Sequence, residues 1–269
     1  MITKTEELLL LETYKIKQRI LEHALSASAG VFYNINITKN KEINLSLKGF
    51  RPEWKVIRII LVVGIPSIIM QSIGSVLTLC FNKILLMFSE VAVSVYGIYF
   101  KLNSFIFMPV FGLTNGLIPI LAYNYGAQKK KRIIQGIKLS VGLSCSIMVI
   151  GTLVFQLAPV QLLGLFDAEP EMIGIGVKAL RTISWSFIFA GYGIVVSSAF
   201  QAFGNGVYSL ITSVIRQLLV ILPVAYIFAI KFGLDAVWWS YPIAELVAVV
   251  VSTVLFINLY KTRIKGIPN

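Results

Sequence analysis

From Gly97 to Arg132 the chain reads GIYFKLNSFIFMPVFGLTNGLIPILAYNYGAQKKKR. It is apolar with one lysine, Lys101, is punctuated by Pro109, Gly112, Gly116 and Pro119, and closes on Tyr123-Asn124-Tyr125-Gly126-Ala127 before the cations Lys129 to Arg132. A bilayer's hydrocarbon core of about 30 Å needs only about 20 helical residues, so this stretch is long enough to cross it. A helix in water keeps one polar face, and a run this apolar has none to spare. An ionisable group within such a span is costly and belongs to a pathway or a buried pair. What Lys101 faces is therefore the first functional question.

The rest of the chain has the same character. Hydrophobic residues make up 57% and charged residues 13%, with a formal net charge of +12. Soluble domains sit near 45–50% apolar and about 25% charged. The balance predicts an all-α, polytopic membrane protein. The basic excess fits cytoplasmic loops, which collect Lys and Arg. It does not predict a nucleic-acid partner, because no basic stripe is interleaved with stacking aromatics. Cys80 and Cys145 lie in apolar runs without CxxC spacing and read as packing residues. With His23 the sole histidine, and no phosphate loop or nucleophile elbow, neither a metal site nor an enzyme is expected.

Residues 1–50 form a separate segment. Leu8 to Leu11 is too short to span, the surrounding charges forbid extending it, and no signal-peptide pattern follows. A cytosolic helix, loop or linker is expected there, with an interfacial amphipathic helix the alternative, and the membrane bundle occupies 51–269. Six spans are predicted, at Ile57–Phe81, Val91–Ala122, Ile133–Phe155, Ile183–Phe203, Val207–Ile230 and Ala236–Tyr260. Cations gather before span one, after span two and after span six, while the opposite side carries Asp167, Glu169 and Glu171. Lys178 and Arg181, on that opposite side, would be offset by those three acids. The positive-inside rule then places both termini in the cytoplasm.

Polar side chains line single faces of several spans. Span one has Ser67, Gln71, Ser75, Thr78 and Asn82; span two has Lys101, Ser104, Met108, Gly112 and Asn115. Span five has Ser209, Thr212, Ser213 and Arg216, and span six has Trp238, Glu245 and Ser252. Small and hydroxylated residues also make seams between membrane helices, so a seam and a water-lined cavity both remain open readings. By depth, Lys101, Arg216 and Glu245 are expected to converge near mid-membrane, either as a structural ion cluster or as a coupling and substrate-contact network. Pro66, Pro109 and Pro223 predict interrupted helices of the kind that bend during alternating access.

Taken together, Gly64-Ile65-Pro66-Ser67, Lys101 through Pro109 to Pro119 and Tyr123 to Ala127, and Ala179-Leu180-Arg181 resemble the multidrug and toxic compound extrusion (MATE) transporters. So do Phe200 to Asn205, Arg216-Gln217 through Leu222-Pro223, and Gly233 to Trp238 through Pro242 to Glu245. The resemblance runs from about Lys41 to the C-terminus and covers the second of the family's two six-helix bundles. It implies one lobe of a cation-coupled multidrug antiporter for amphipathic organic compounds, often cations, in the cell membrane. The family's coupling aspartate belongs to the first bundle, and no acid lies in the core of spans one or four. The proton gradient is therefore the expected driver, with sodium the alternative and no other cofactor. Gln71, Lys101, Asn115, Gln201, Arg216 and Glu245 are expected to line or support the cavity. One bundle cannot enclose a cavity, so a second is implied, as a copy of this chain or a separate N-terminal half. A non-transporting assembly partner and a lipid-linked oligosaccharide flippase are the alternatives.

Overall fold

The computed structural model describes residues 54–267, all helix and short connection. The chain divides into two compact units, residues 1–56 and 57–269, and the expectations for residues 1–50 lie outside the described residues. The long helices are α1 (Trp54–Leu86), α2 (Glu90–Gly126) and α3 (Lys130–Leu157). A single turn-and-a-half, α4 (Pro159–Gly164), leads to α5 (Pro170–Ser184) and α6 (Phe187–Ala202). Next come α7 (Gly206–Val214), a π-helical segment Ile215–Ile221, α8 (Leu222–Phe232), α9 (Leu234–Val237) and α10 (Ser240–Leu259), which ends in a second π-helical segment, Tyr260–Ile264.

Five stretches are long and apolar enough to cross a bilayer: Ile68–Leu86, α2, α3, Gly206–Phe232 and Leu234–Ile264. The bent pair α5 and α6 makes a sixth. The ends of these helices follow local chemistry. The Ser89 hydroxyl accepts from the Ala92 N–H at 3.1 Å and caps α2. Gly204 (φ 73°) and Gly233 (φ 83°) take the left-handed turns that reverse the chain before α7 and α9.

The predicted interruptions fall elsewhere. Helices α1 and α2 run continuously through Pro66, Pro109 and Pro119. Neighbouring turns absorb an internal proline where the freed carbonyl finds another donor or a wet surface. The real break is at Trp185–Ser186, between α5 and α6, where the axis turns by 49° without a proline. Side chains from α3 make it tolerable: Gln156 Nε2 donates to the Arg181 carbonyl at 2.7 Å, and Thr152 Oγ1 to the Ser184 carbonyl at 3.1 Å. Only Pro223 marks irregular backbone, since the π-helical turn directly precedes it.

Two apolar cores hold the bundle. One joins Leu77, Phe81 and Leu85 of α1 with Tyr96, Tyr99 and Leu102 of α2, Phe187 of α6 and Trp238 and Tyr241. The other joins Leu117 and Leu121 of α2 with Ile133, Ile137, Val195 to Phe203, Leu259 and Ile264. Between α3 and α6 the backbones come close. A Cβ on Gly191 would sit 2.9 Å from Met148 Cγ, and Ser144 Oγ donates to the Gly191 carbonyl at 3.0 Å. Small residues and a hydroxyl bond are what membrane helices use where there is no water to drive them together.

Charge is sorted along the bundle. Lys130 Nζ donates to the Lys265 carbonyl at 3.0 Å, so the cations after α2 and after α10 share one end. Lys178 pairs with Asp235 at 2.6 Å, which corrects the expectation that Asp167, Glu169 and Glu171 offset it. The acid in the first turn of α9 is the one its helix reaches.

Candidate functional site

Helix α2 divides along its length into two faces. At 100° per residue, Tyr96, Tyr99, Val110, Thr114, Leu117, Leu121 and Asn124 share one side, and all are buried. Opposite them, Lys101, Ser104, Phe105, Met108, Gly112 and Asn115 are all exposed. A Cβ on Gly112 or Gly116 would meet nothing within 4 Å. The exposed face mixes one cation, two polar side chains and large apolar ones such as Phe105 and Met108. That is the chemistry of a surface able to hold an amphipathic guest, with apolar walls and few polar contacts. Ser104 satisfies its hydroxyl on the Phe100 carbonyl at 2.9 Å, so the stripe carries little unmet polarity.

The polar residues of the fifth and sixth spans turn inward instead. Ser209 Oγ donates to the Ser197 carbonyl of α6 at 2.8 Å, and Thr212 Oγ1 to the Tyr208 carbonyl. Trp238, Glu245 and Ser252 are all buried. Of the readings left open by the sequence, the seam describes these two spans. At the centre of that seam Arg216 Nη1 donates to Glu245 Oε1 at 2.8 Å. The glutamate side chain is 8% exposed and the arginine 29%. Glu245 Oε2 is buried and has no hydrogen-bond partner.

Lys101 does not join this pair. It lies two residues beyond Tyr99, about 200° around the helix, and so points away from the core that holds the pair. Its ammonium sits 5.5 Å from the centre of the Phe166 ring, in the connection between α4 and α5. The flexible stem carries the charge to that ring, where a cation–π contact holds it. Arg216 and Glu245 meet, and Lys101 lies on the other side of its helix, against Phe166.

The remaining expected residues are scattered. Asn115 is on the exposed stripe of α2, and Gln201 is half-buried at the end of α6. Gln71 lies within α1, and its side chain is outside the described residues. In span one Thr78 Oγ1 turns back to the Gly74 carbonyl at 3.0 Å, Asn82 is half-buried and Ser75 exposed.

A group of tyrosines around the ion pair was not expected. Tyr96 and Tyr241 share a hydrogen bond between hydroxyls, Phe81 packs on Tyr96 at 4.7 Å between centroids, and Tyr99 lies 5.9 Å from Tyr241. The signal available was the spacing of Tyr241 four residues before Glu245, which places both on one side of α10. Gln217, beside Arg216, is also buried, with its Oε1 3.8 Å from where a Cβ on Gly74 would sit.

Comparison with known proteins fits this architecture. The MatE family model matches residues 66–227. Multidrug export protein MepA of Staphylococcus haemolyticus (strain JCSC1435) is 30% identical over 223 residues, covering 82% of this chain and 49% of that protein. MepA of Staphylococcus aureus (strain bovine RF122 / ET3-1) is 28% identical over 242 residues, covering 89% and 52%. Among solved structures, an outward-facing multidrug resistance MATE family transporter of the MOP superfamily superposes with a TM-score of 0.80 at 23% identity, over 88% of this chain and 55% of that one. A MOP superfamily transporter from Pyrococcus furiosus Vc1 (DSM3638) superposes with a TM-score of 0.79 at 22% identity, with the same coverage. The chain spans about half the length of the curated relatives it matches.

Proposed function

The chain belongs to the MatE family of membrane transporters, and from that membership we propose that it forms one lobe of a multidrug efflux antiporter. Its substrates are amphipathic organic compounds, often cationic, and the proton gradient drives their export. The exposed stripe of α2 is the observation that carries this reading. Lys101, Ser104, Met108, Gly112 and Asn115 stand on one open face, while the other side of the same helix is packed shut.

A second six-helix bundle covers that stripe and closes a cavity between the two lobes. It comes from another copy of this chain or from a separate N-terminal half. The lobes rock so that the cavity opens to each side of the membrane in turn. Lys101 and Asn115 line it, together with Gln71, and Gln201 supports it from the end of α6. Arg216 and Glu245 support it from behind, by fixing span five against span six. The chain sits in the cell membrane with both termini in the cytoplasm. Support for that orientation comes from the meeting of Lys130 with the Lys265 carbonyl, which gathers the cationic connections at one end.

Efflux of a fluorescent lipophilic cation from cells lacking related pumps tests the proposal. Cells carrying the chain with a second bundle should lose the dye at a rate that falls when the proton gradient is dissipated. Gly112→Trp should stop efflux while leaving the amount of folded protein unchanged, because its side chain enters open space in this lobe. Equal efflux from the Gly112→Trp variant would contradict the role given to α2.

A further inference from the structure

We propose that Glu245 Oε2 is a proton-binding site of this lobe, and that a proton there frees Arg216 and lets the π-helical turn Ile215–Ile221 change register. For its purpose the inference rests on the transport reading, but its test does not. Among the described residues Glu245 is the one carboxylate set within a span, since Glu90 opens α2 and Asp167, Glu169, Glu171 and Asp235 lie in connections or first turns. Its side chain is more than nine-tenths buried; one oxygen holds Arg216 and the other has no donor at all. Buried acceptors are normally paired, and on a carboxylate the unpaired oxygen is the atom a proton would occupy.

The chemistry of the surroundings favours a proton over a metal ion. A proton needs a single oxygen and converts Oε2 from an unpaired acceptor into an O–H donor. A metal cation would instead sit beside the Arg216 guanidinium that already bonds the other carboxylate oxygen, where like charges repel. Arg216 from the π-helical turn bonds the carboxylate and Tyr99 of α2 lies near both members of the pair, with Tyr241 and its hydroxyl partner Tyr96 packed beside Tyr99. Other titratable side chains packed along α10 are engaged elsewhere. Tyr192 bonds Thr253, Tyr208 bonds Asn258 and Lys178 bonds Asp235. Arg181 belongs to α5, and Tyr226 and Lys231 to α8.

Loading the site changes the charge balance of the seam. The Oε2–H bond forms with a proton from water, the carboxylate becomes neutral, and the guanidinium loses its counter-charge. Arg216 is 29% exposed and can then swing toward water. It is the second residue of the π-helical turn, so its anchorage holds that turn in place. A π turn contains one residue more than an α turn, and its conversion rotates α7 by about 100° relative to α8. Gln217 against Gly74 and the Tyr208–Asn258 bond move with it, which carries the change from the pair to α1 and to the end of α10.

Amide hydrogen exchange on the full chain in lipid nanodiscs tests this, comparing neutral with acidic buffer after correction for intrinsic rates. Exchange across residues 215–221 should quicken about tenfold on acidification, with α3 unchanged. Glu245→Gln, which mimics the protonated state, should exchange rapidly at both pH values. Equal exchange at both pH values in the unaltered chain overturns the proposal, as does an unaltered pH response in Glu245→Gln. Should that variant not assemble, infrared spectroscopy of the unaltered chain and of Glu245→Asp supplies the readout. A buried, slowly exchanging protonated carboxyl band that shifts in Glu245→Asp is expected, and absence of the band overturns the site. A chain that shows the titration yet exports nothing with any second bundle keeps this inference and loses the antiporter reading.

Discussion

Helix α2 and the two spans that end the chain each carry a line of polar residues, and the bundle treats them in opposite ways. In the terminal spans those residues face neighbours: Ser209 bonds α6 and Arg216 bonds α10. On α2 the line faces away from every helix of this lobe, from Lys101 to Asn115. The difference separates two uses of polarity in a membrane protein. Inside the seam, hydrogen bonds and one ion pair fix which helices meet. On the open face, sparse polarity among large apolar side chains makes a surface that no other helix among the described residues covers.

The contrast can be broken experimentally, and the largest effect belongs to the seam. Arg216→Ala leaves Glu245 buried and uncompensated and should cost about 3–5 kcal/mol, seen as a lower unfolding temperature in detergent. Replacing both by leucine should restore most of that loss, because no charge remains to bury. Gly191→Val should cost about 1–3 kcal/mol in the same assay, since its first carbon already crowds Met148 and Ser144. Gln156→Ala removes the donor from the Arg181 carbonyl at the α5–α6 break. A loss of about 0.5–1.5 kcal/mol is expected, with faster amide exchange confined to residues 181–187. On the open face, Ser104→Ala and Asn115→Ala should change stability by less than about 0.5 kcal/mol, whatever they do to efflux. A loss comparable to Arg216→Ala at Asn115 would show that the stripe is packed and erase the distinction.

Much of this was legible before the structure. Apolar runs separated by charged connections locate the spans, and the cations at 129–132 and 261–265 do end up together. Depth could be counted residue by residue, which is how Arg216 and Glu245 were placed at one level. Azimuth could not: Lys101 faces away from the pair, because nothing in a uniformly apolar helix says which side packs. The break at Trp185–Ser186 was hidden for a related reason. It depends on Gln156 and Thr152, donors from a different helix, whereas the prolines that looked disruptive are accommodated in continuous helices. The tyrosines around the ion pair come from two helices far apart in the chain, so only the Tyr241–Glu245 half of that arrangement was local enough to read.

The central claim is that the α2 stripe meets water in a cavity shared with a second bundle. Single cysteines at Ser104, Met108 and Asn115, in a background without Cys80 and Cys145, can be challenged in native membranes with a water-soluble thiol reagent. Leu139 and Ile150 of α3, exposed and apolar on the lobe's surface, serve as the comparison. Rapid labelling of the three α2 positions, protected by an excess of lipophilic cation, with the α3 positions silent, is the predicted result. Silence at all three α2 positions, with quenching of probes there by brominated lipid tails, would contradict it.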